Sequence, residues 1–229
     1  MGRSPRVTQA GLVYHVLNRR VMRLPLFEKD GDYLAFERVL TASLERPDAP
    51  SLLAWCFMPN HWHLVVRAGG RTNLSTWMQW VTVTHTHRWH AHTHTSGEGP
   101  LYQGRFKSFP VQNDSHFLTL CRYVEANALR AKLVKRAEAW RWGSLWIRHN
   151  RQSALFGWMR PWPVDRPRNW TAHVNAIMDE ENLRNVRQSM ARGVPLGQDA
   201  WKTRIASRLG LDTTLRPRGR PRKKPNKST

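Results

Sequence analysis

The chain has 229 residues, 40% of them hydrophobic, with twelve Trp and seven Phe, enough for one packed core with length to spare. Thirty-seven Lys and Arg oppose sixteen Asp and Glu, a formal charge of +21, and self-repulsion on that scale points to an anionic partner such as nucleic acid. No apolar run approaches the ~20 residues of a membrane span, and the opening MGRSPRVTQA lacks the apolar stretch of a signal peptide.

Cys56 and Cys121 form neither a metal motif nor a disulfide framework. They read as buried free thiols in a reducing, cytoplasmic compartment.

In chain order, residues 11–18 (GLVYHVLN) are rich in β-branched and aromatic residues and predict a strand. Residues 30–45 open on Asp30 and space Tyr33, Phe36, Val39, Leu40 and Leu44 as a helix does. Residues 51–58 (SLLAWCFM) predict a buried strand, Pro59-Asn60 a turn, and residues 61–67 (HWHLVVR) a second strand. Residues 72–92 look helical through Leu74, Trp77, Met78 and Val81. Residues 96–100 break the chain, and 101–112 form a short strand or an extended loop. Asn113-Asp114-Ser115 is a capping sequence for a helix over 115–133.

The order β-α-β-β-α-(β)-α predicts an α+β, ferredoxin-like fold, an antiparallel sheet with helices on one face. Three parts are expected: a catalytic domain over 1–150, a Trp- and Pro-rich accessory segment over 151–212 with short helices at 179–192 and 199–210, and a basic tail over 213–229. Residues 216–229 carry seven basic residues and no acidic one, a composition that cannot bury a core and is expected to be disordered when free. Arg218-Gly219-Arg220-Pro221 matches the core of an AT-hook, which inserts Arg into a narrow A·T-rich minor groove. A generic cationic arm on phosphate is the alternative.

His61 and His63 stand one pleat apart, so they share a face while Trp62 points to the other. Two such imidazoles can share one metal ion or be unrelated surface histidines. On the 115–133 helix, Tyr123 and Asn127 are four residues apart and share a face at the edge of the apolar stripe. Tyr123 is either a nucleophile at a cleft rim or a ring packed on the core edge. A phenol of pKa ~10 needs a polarised phosphate to act as nucleophile. Gln103, Arg105 and Lys107 alternate outward as a phosphate-contacting edge or a plain charged strand. Of Tyr14 and His15, one faces the cleft and the other the core. The run His85, His87, His90, His92, His94 fits no single face and reads as a solvated or DNA-facing helix end.

Tyr14-His15-Val16, Phe57-Met58-Pro59-Asn60-His61-Trp62-His63-Leu64, Tyr102-Gln103-Gly104-Arg105-Phe106-Lys107-Ser108, Arg122-Tyr123-Val124-Glu125, Asn127, Arg130-Ala131 and Trp140-Arg141-Trp142-Gly143-Ser144 follow one another across residues 8–147. This pattern resembles the REP-associated tyrosine transposases of the HUH superfamily of single-stranded DNA nucleases. The resemblance implies a ferredoxin-like catalytic domain with Tyr123 as nucleophile, forming a 5′-phosphotyrosine link. It implies a divalent ion, Mg or Mn, held by His61, His63 and Asn127, and single-stranded palindromic hairpins as substrate. It leads to Arg105, Lys107, Arg122 and Arg130 as DNA contacts beside Arg218, Arg220 and Arg222 of the tail, in a monomer associated with the bacterial nucleoid. Where the family helix often has Pro after the Asn, this chain has Ala128, which is expected only to straighten the helix. A non-catalytic DNA-binding regulator is the competing reading. An RNA-binding module is a third, although the paired aromatics of that mode are missing.

Overall fold

The computed structural model of the protein describes residues 7–216. The proposed minor-groove contacts Arg218, Arg220 and Arg222 lie outside them. Strand β1 (Val13–Arg19) is followed by α1 (Asp30–Leu44), the hairpin β2 (Ser51–Met58) and β3 (His61–Arg67), α2 (Leu74–Thr93), β4 (Lys107–Val111), α3 (Ser115–Glu125) and the single turn α4 (Asn127–Arg130). Then come α5 (Ser144–Asn150), α6 (Trp170–Asn175), α7 (Glu180–Arg192), α8 (Asp199–Leu209) and α9 (Asp212–Leu215). The four strands form one antiparallel sheet in the order β2-β3-β1-β4, so the α+β fold expected from the sequence is present.

Strand alternation sends the side chains into two cores. Tyr14, Val16, Trp62 and Leu64 point to the face covered by α1 and α2, where Phe36, Leu40, Trp77, Met78 and Val81 pack against them. Val13 and Val65 point the other way, toward Phe117, Leu120, Cys121 and Val124 of α3. Helices α1 and α2 are the expected one-sided layer. Helix α3 adds a second layer, with Trp170 and Val174 of α6 and Leu183 and Val186 of α7 in the same core. An apolar stripe on α3 needs a partner, and the sheet face left free by α1 and α2 supplies it. Cys56 and Cys121 are buried free thiols.

The caps follow their residues. The Asn73 carboxamide oxygen accepts from the backbone of Ser75 and Thr76 to start α2, and the Asp114 carboxylate accepts from His116 to start α3, as capping requires. The helix expected over 115–133 is broken, however. It stops at Ala126 (φ −84°, ψ 5°) and resumes for one turn to Arg130. The Tyr123 carbonyl accepts 2.6 Å from Nη1 of Arg130, and Lys132 closes the segment in the left-handed region. The helix is interrupted with Ala128 in place, so Ala128 does not straighten it.

Both sheet edges are covered. Phe57 on edge strand β2 donates its N–H to the Trp142 carbonyl, and its own carbonyl accepts from Trp140 Nε1. Trp162 Nε1 and Arg148 Nη2 donate to the Leu53 carbonyl. At the opposite edge, Leu196 pairs with β4 through its N–H to the Pro110 carbonyl and its carbonyl from the Gln112 N–H. The Trp140–Ser144 motif is therefore an edge strap.

The histidine run divides by burial. His87, His92 and His94 are exposed and His90 is half-buried, but His85 is buried, contrary to a solvated reading of the whole run. Its Nδ1 lies 2.7 Å from the Tyr102 hydroxyl, which accepts from Trp62 Nε1. Burial holds the His85 imidazole neutral, with its pKa down at about 3, against a smaller opposing pull from Asp32. A histidine whose folded pKa is depressed costs nothing above pH 6.5. As pH falls from 6.5 toward 3 the unfolded chain takes the proton and the folded one does not, so stability falls. Replacing His85 with Gln is expected to flatten the loss of stability between pH 6.5 and 4.5 by up to about 1.4 kcal/mol per pH unit. Thermal melts of both proteins across that range test this, and an unchanged slope would rule it out.

Candidate active site

At one end of the sheet, β1, β3, the segment leading into β4, α3 and α7 enclose a cleft of about 480 Å³. His61 and His63 of β3 and Tyr123 of α3 form its floor. Arg19, Gln103, Arg105 and Lys107 line it on the sheet side, and Arg187, Met190 and Ala191 of α7 complete it. Among the described residues no acidic side chain lines it. Gln103, Arg105 and Lys107 are exposed as the alternation predicted.

Pleating puts His61 and His63 on one face, their rings nearly perpendicular with centroids 4.9 Å apart. His15 on β1 faces the same way, stacked on His63 with Nε2 at 2.9 Å from His63 Nδ1. Tyr14 faces the core, where its hydroxyl accepts from the Gln9 N–H. His61 Nδ1 lies 2.6 Å from the Asn60 carboxamide oxygen. Burial, with Arg19 and Arg130 nearby, lowers the His61 pKa to about 4. Burial, then His61 and His15, holds His63 well below its usual value. Both rings are thus neutral at pH 7.

Tyr123 stands edge-on to His63 at 6.2 Å between centroids, with the Arg130 guanidinium 3.9 Å above its ring centre. Asn127 does not reach the cleft. Its Nδ2 lies 3.4 Å from His61 Nε2, and its Oδ1 accepts from Arg130 Nη2 at 3.0 Å. Arg130, expected as a DNA contact, donates to the Tyr123 carbonyl and to Asn127 Oδ1. Its spacing of three and seven residues after them puts all three on one helical face, and the sequence carried that signal. Arg122 does not line the cleft either, since its Nη2 donates to the Ala176 and Ile177 carbonyls. The sequence reading also missed Arg19 and Arg187 as cleft residues.

The donor set fits a divalent ion in part. Two neutral imidazoles converge, and His15 fixes one nitrogen of His63, as second-shell partners of metal-bound histidines do. The third donor, Asn127 Oδ1, is turned to Arg130. Among the described residues no group of three or more His, Cys, Asp or Glu is placed to hold a metal. No described helix is long and apolar enough to cross a membrane.

A solved structure entitled "Structure of the REP associates tyrosine transposase bound to a REP hairpin" is 19% identical to the chain. It covers 73% of the chain and 93% of its own length, with a TM-score of 0.52. At that identity it shows a common fold. A candidate transposase from Deinococcus radiodurans R1, 16% identical, covers 54% of the chain and 96% of its own length, with a TM-score of 0.38. No curated protein sequence matches. Residues 8–127 match the model of the family described as transposase, IS200-like. With more than half of its length matched, this chain belongs to the IS200-like transposase family.

Proposed function

We propose that the protein cuts and rejoins single-stranded DNA beside a palindromic hairpin, with Tyr123 as the nucleophile. The observation that carries this is the position of Tyr123 in a cleft lined by basic side chains, next to two neutral histidines on one strand face. The relative solved with a REP hairpin supports the choice of hairpin DNA.

In the reaction, Tyr123 Oη attacks a backbone phosphorus. A phosphotyrosine P–O bond forms, the P–O3′ bond breaks, and the 3′ oxygen leaves with a proton while the phenol proton passes to solvent. The new link conserves the bond energy, so the reverse attack by a 3′-OH rejoins the strand without ATP. His61 and His63, with Asn127 once it is released from Arg130, would hold an Mg or Mn ion, whose charge would polarise the phosphate and offset the charge developing on its oxygens. Arg105 and Lys107 bind flanking phosphates and fix the register of the strand. Arg130 aligns the Tyr123 ring and holds Asn127.

His61→Ala and His63→Ala are each expected to reduce Mg-supported cleavage by about 10²-fold or more while leaving single-strand binding within a few-fold. Full cleavage by either variant in Mg would remove both from the ion's ligand set.

The engaged Oδ1 of Asn127 favours one second reading, a DNA-binding regulator that has lost its chemistry. One assay separates the two. Protein is incubated with Mg or Mn and labelled single-stranded DNA from palindromic repeats flanking its gene, then run on a denaturing gel before and after proteolysis. A covalent band lost with EDTA or with Tyr123→Phe supports strand transfer. Binding without a covalent band in either metal supports the regulator.

A further inference from the structure

The wall of the cleft furthest along the chain lies beyond residues 8–127, the part that matches the family. Arg187, Met190 and Ala191 all come from α7, and two anchors fix that helix. Leu183, Val186 and Ser189 are buried on one of its sides. After it, Gly193 ends the helix in the left-handed region and Leu196 pairs with β4. The remaining side presents an exposed Arg187 to the cleft, while Arg184, one turn earlier and also exposed, does not line it.

The electrostatics at this wall are uncompensated. Arg187 is near enough to Arg130 to work against its charge. Among the described residues none of the ion pairs includes Arg19, Arg105, Lys107, Arg130 or Arg187. Guanidinium groups gathered from β1, the segment leading into β4, α4 and α7 around one tyrosine repel each other until an anion joins them. Arg105 and Lys107 line the cleft from the segment leading into and starting β4, and Arg187 lines it from α7, so a strand lying over Tyr123 would meet cations from separate parts of the chain.

We infer that α7 is the second bank of the single-strand channel, with Arg187 as a positioning residue on a backbone phosphate and Met190 and Ala191 against the adjoining sugar. Arg187 acts on binding and register and takes no part in the chemical step. The inference rests on the reading of the cleft as a DNA site, and it does not require Tyr123 to be the nucleophile.

Its test is therefore a binding measurement on Tyr123→Phe protein in EDTA, where no cleavage intervenes. The probe is a fluorescent single-stranded oligonucleotide of about 20 nucleotides, longer than the span of a typical single-strand site. Adding Arg187→Ala is expected to weaken binding about 5- to 10-fold near 0.1 M salt and to make the slope of log K against log salt shallower by about 0.7, the loss of one phosphate contact. Arg187→Lys retains the slope, because a charge remains. Arg184→Ala, the same charge removed from outside the cleft, changes affinity less than about twofold. Ala191→Trp, at an exposed position, obstructs the channel and weakens binding with the melting temperature unchanged. Equal effects of Arg187→Ala and Arg184→Ala, or free binding by Ala191→Trp, would overturn the inference. With Tyr123 restored, Arg187→Ala should raise KM and leave kcat at saturating DNA unchanged, and a fall in kcat alone would contradict a positioning role. If no DNA is cleaved by any form, the strand-transfer reading fails while the binding result still decides the role of α7.

Discussion

Tyr123→Phe should abolish covalent DNA attachment and cleavage, by at least about 10⁴-fold, as removal of a nucleophile does, while leaving DNA affinity within twofold. The substitution removes one oxygen and its interaction with the Arg130 guanidinium. The phenyl ring keeps its place under the Arg130 guanidinium and its edge contact with His63, and Arg130 donates to the backbone carbonyl of residue 123, which any side chain retains. The fold and the basic cleft should therefore survive. Two measurements on the same preparation give the answer: anisotropy with a labelled strand for binding, and a denaturing gel in Mg or Mn for the adduct. An adduct that persists in the variant would mean that another residue attacks phosphorus.

Glu125→Ala should be the most destabilising single change near the site without touching the cleft. The Glu125 carboxylate is completely buried. It accepts 2.5 Å from the Ser144 hydroxyl and 2.6 Å from Trp170 Nε1, and Arg148 Nε faces it at 3.6 Å. Ser144 Oγ in turn accepts from the Trp55 N–H of the edge strand. One carboxylate thus joins α3, α5, α6 and β2. Its loss leaves a mostly buried guanidinium without its counter-charge, at a cost of about 3–5 kcal/mol. At ~2–4 °C per kcal/mol for a chain of this size, the melting temperature should drop by roughly 10 °C. Glu125→Gln keeps the shape and one acceptor and should lose less. A melting temperature within a degree or two of the parent for Glu125→Ala would show that the network relaxes around the gap.

The elements made of local pattern were legible in the sequence. The apolar run of residues 51–58, the Pro59-Asn60 turn and the alternating 61–67 segment specify a hairpin by themselves. The same alternation places His61 and His63 together and Trp62 behind them. Asp114 caps α3 as its sequence suggests, and α7 and α8 lie where periodicity put them. What escaped was set by partners distant in the chain. Arg130 took a DNA contact from the resemblance, whereas the folded chain turns its guanidinium onto the Tyr123 carbonyl. Arg122 took one too, and only the fold brings the Ala176 and Ile177 carbonyls to it. Glu125 lies next to an apolar stripe, which hinted at burial, but Ser144, Arg148 and Trp170 are 19 to 45 residues away. Arg187 sits on a short expected helix, and only the fold shows that its Leu183, Val186 and Ser189 side is buried and that Arg187 meets the cleft.

The covered sheet edges have a consequence for how the chain is made. β2 leaves the ribosome about 90 residues before its strap at 140–144, and β4 waits for Leu196. Until each arrives, a hydrophobic strand presents unpaired N–H and C=O groups, the template on which chains associate strand to strand. A nascent or prematurely terminated polypeptide that stops near residue 130 would hold the tyrosine, both β3 histidines and a complete four-stranded sheet, yet both flanks would be open to another molecule. The last third of the chain thus serves as a built-in guard against aggregation. Once it is wrapped, two finished copies cannot join their sheets edge to edge without first peeling it away.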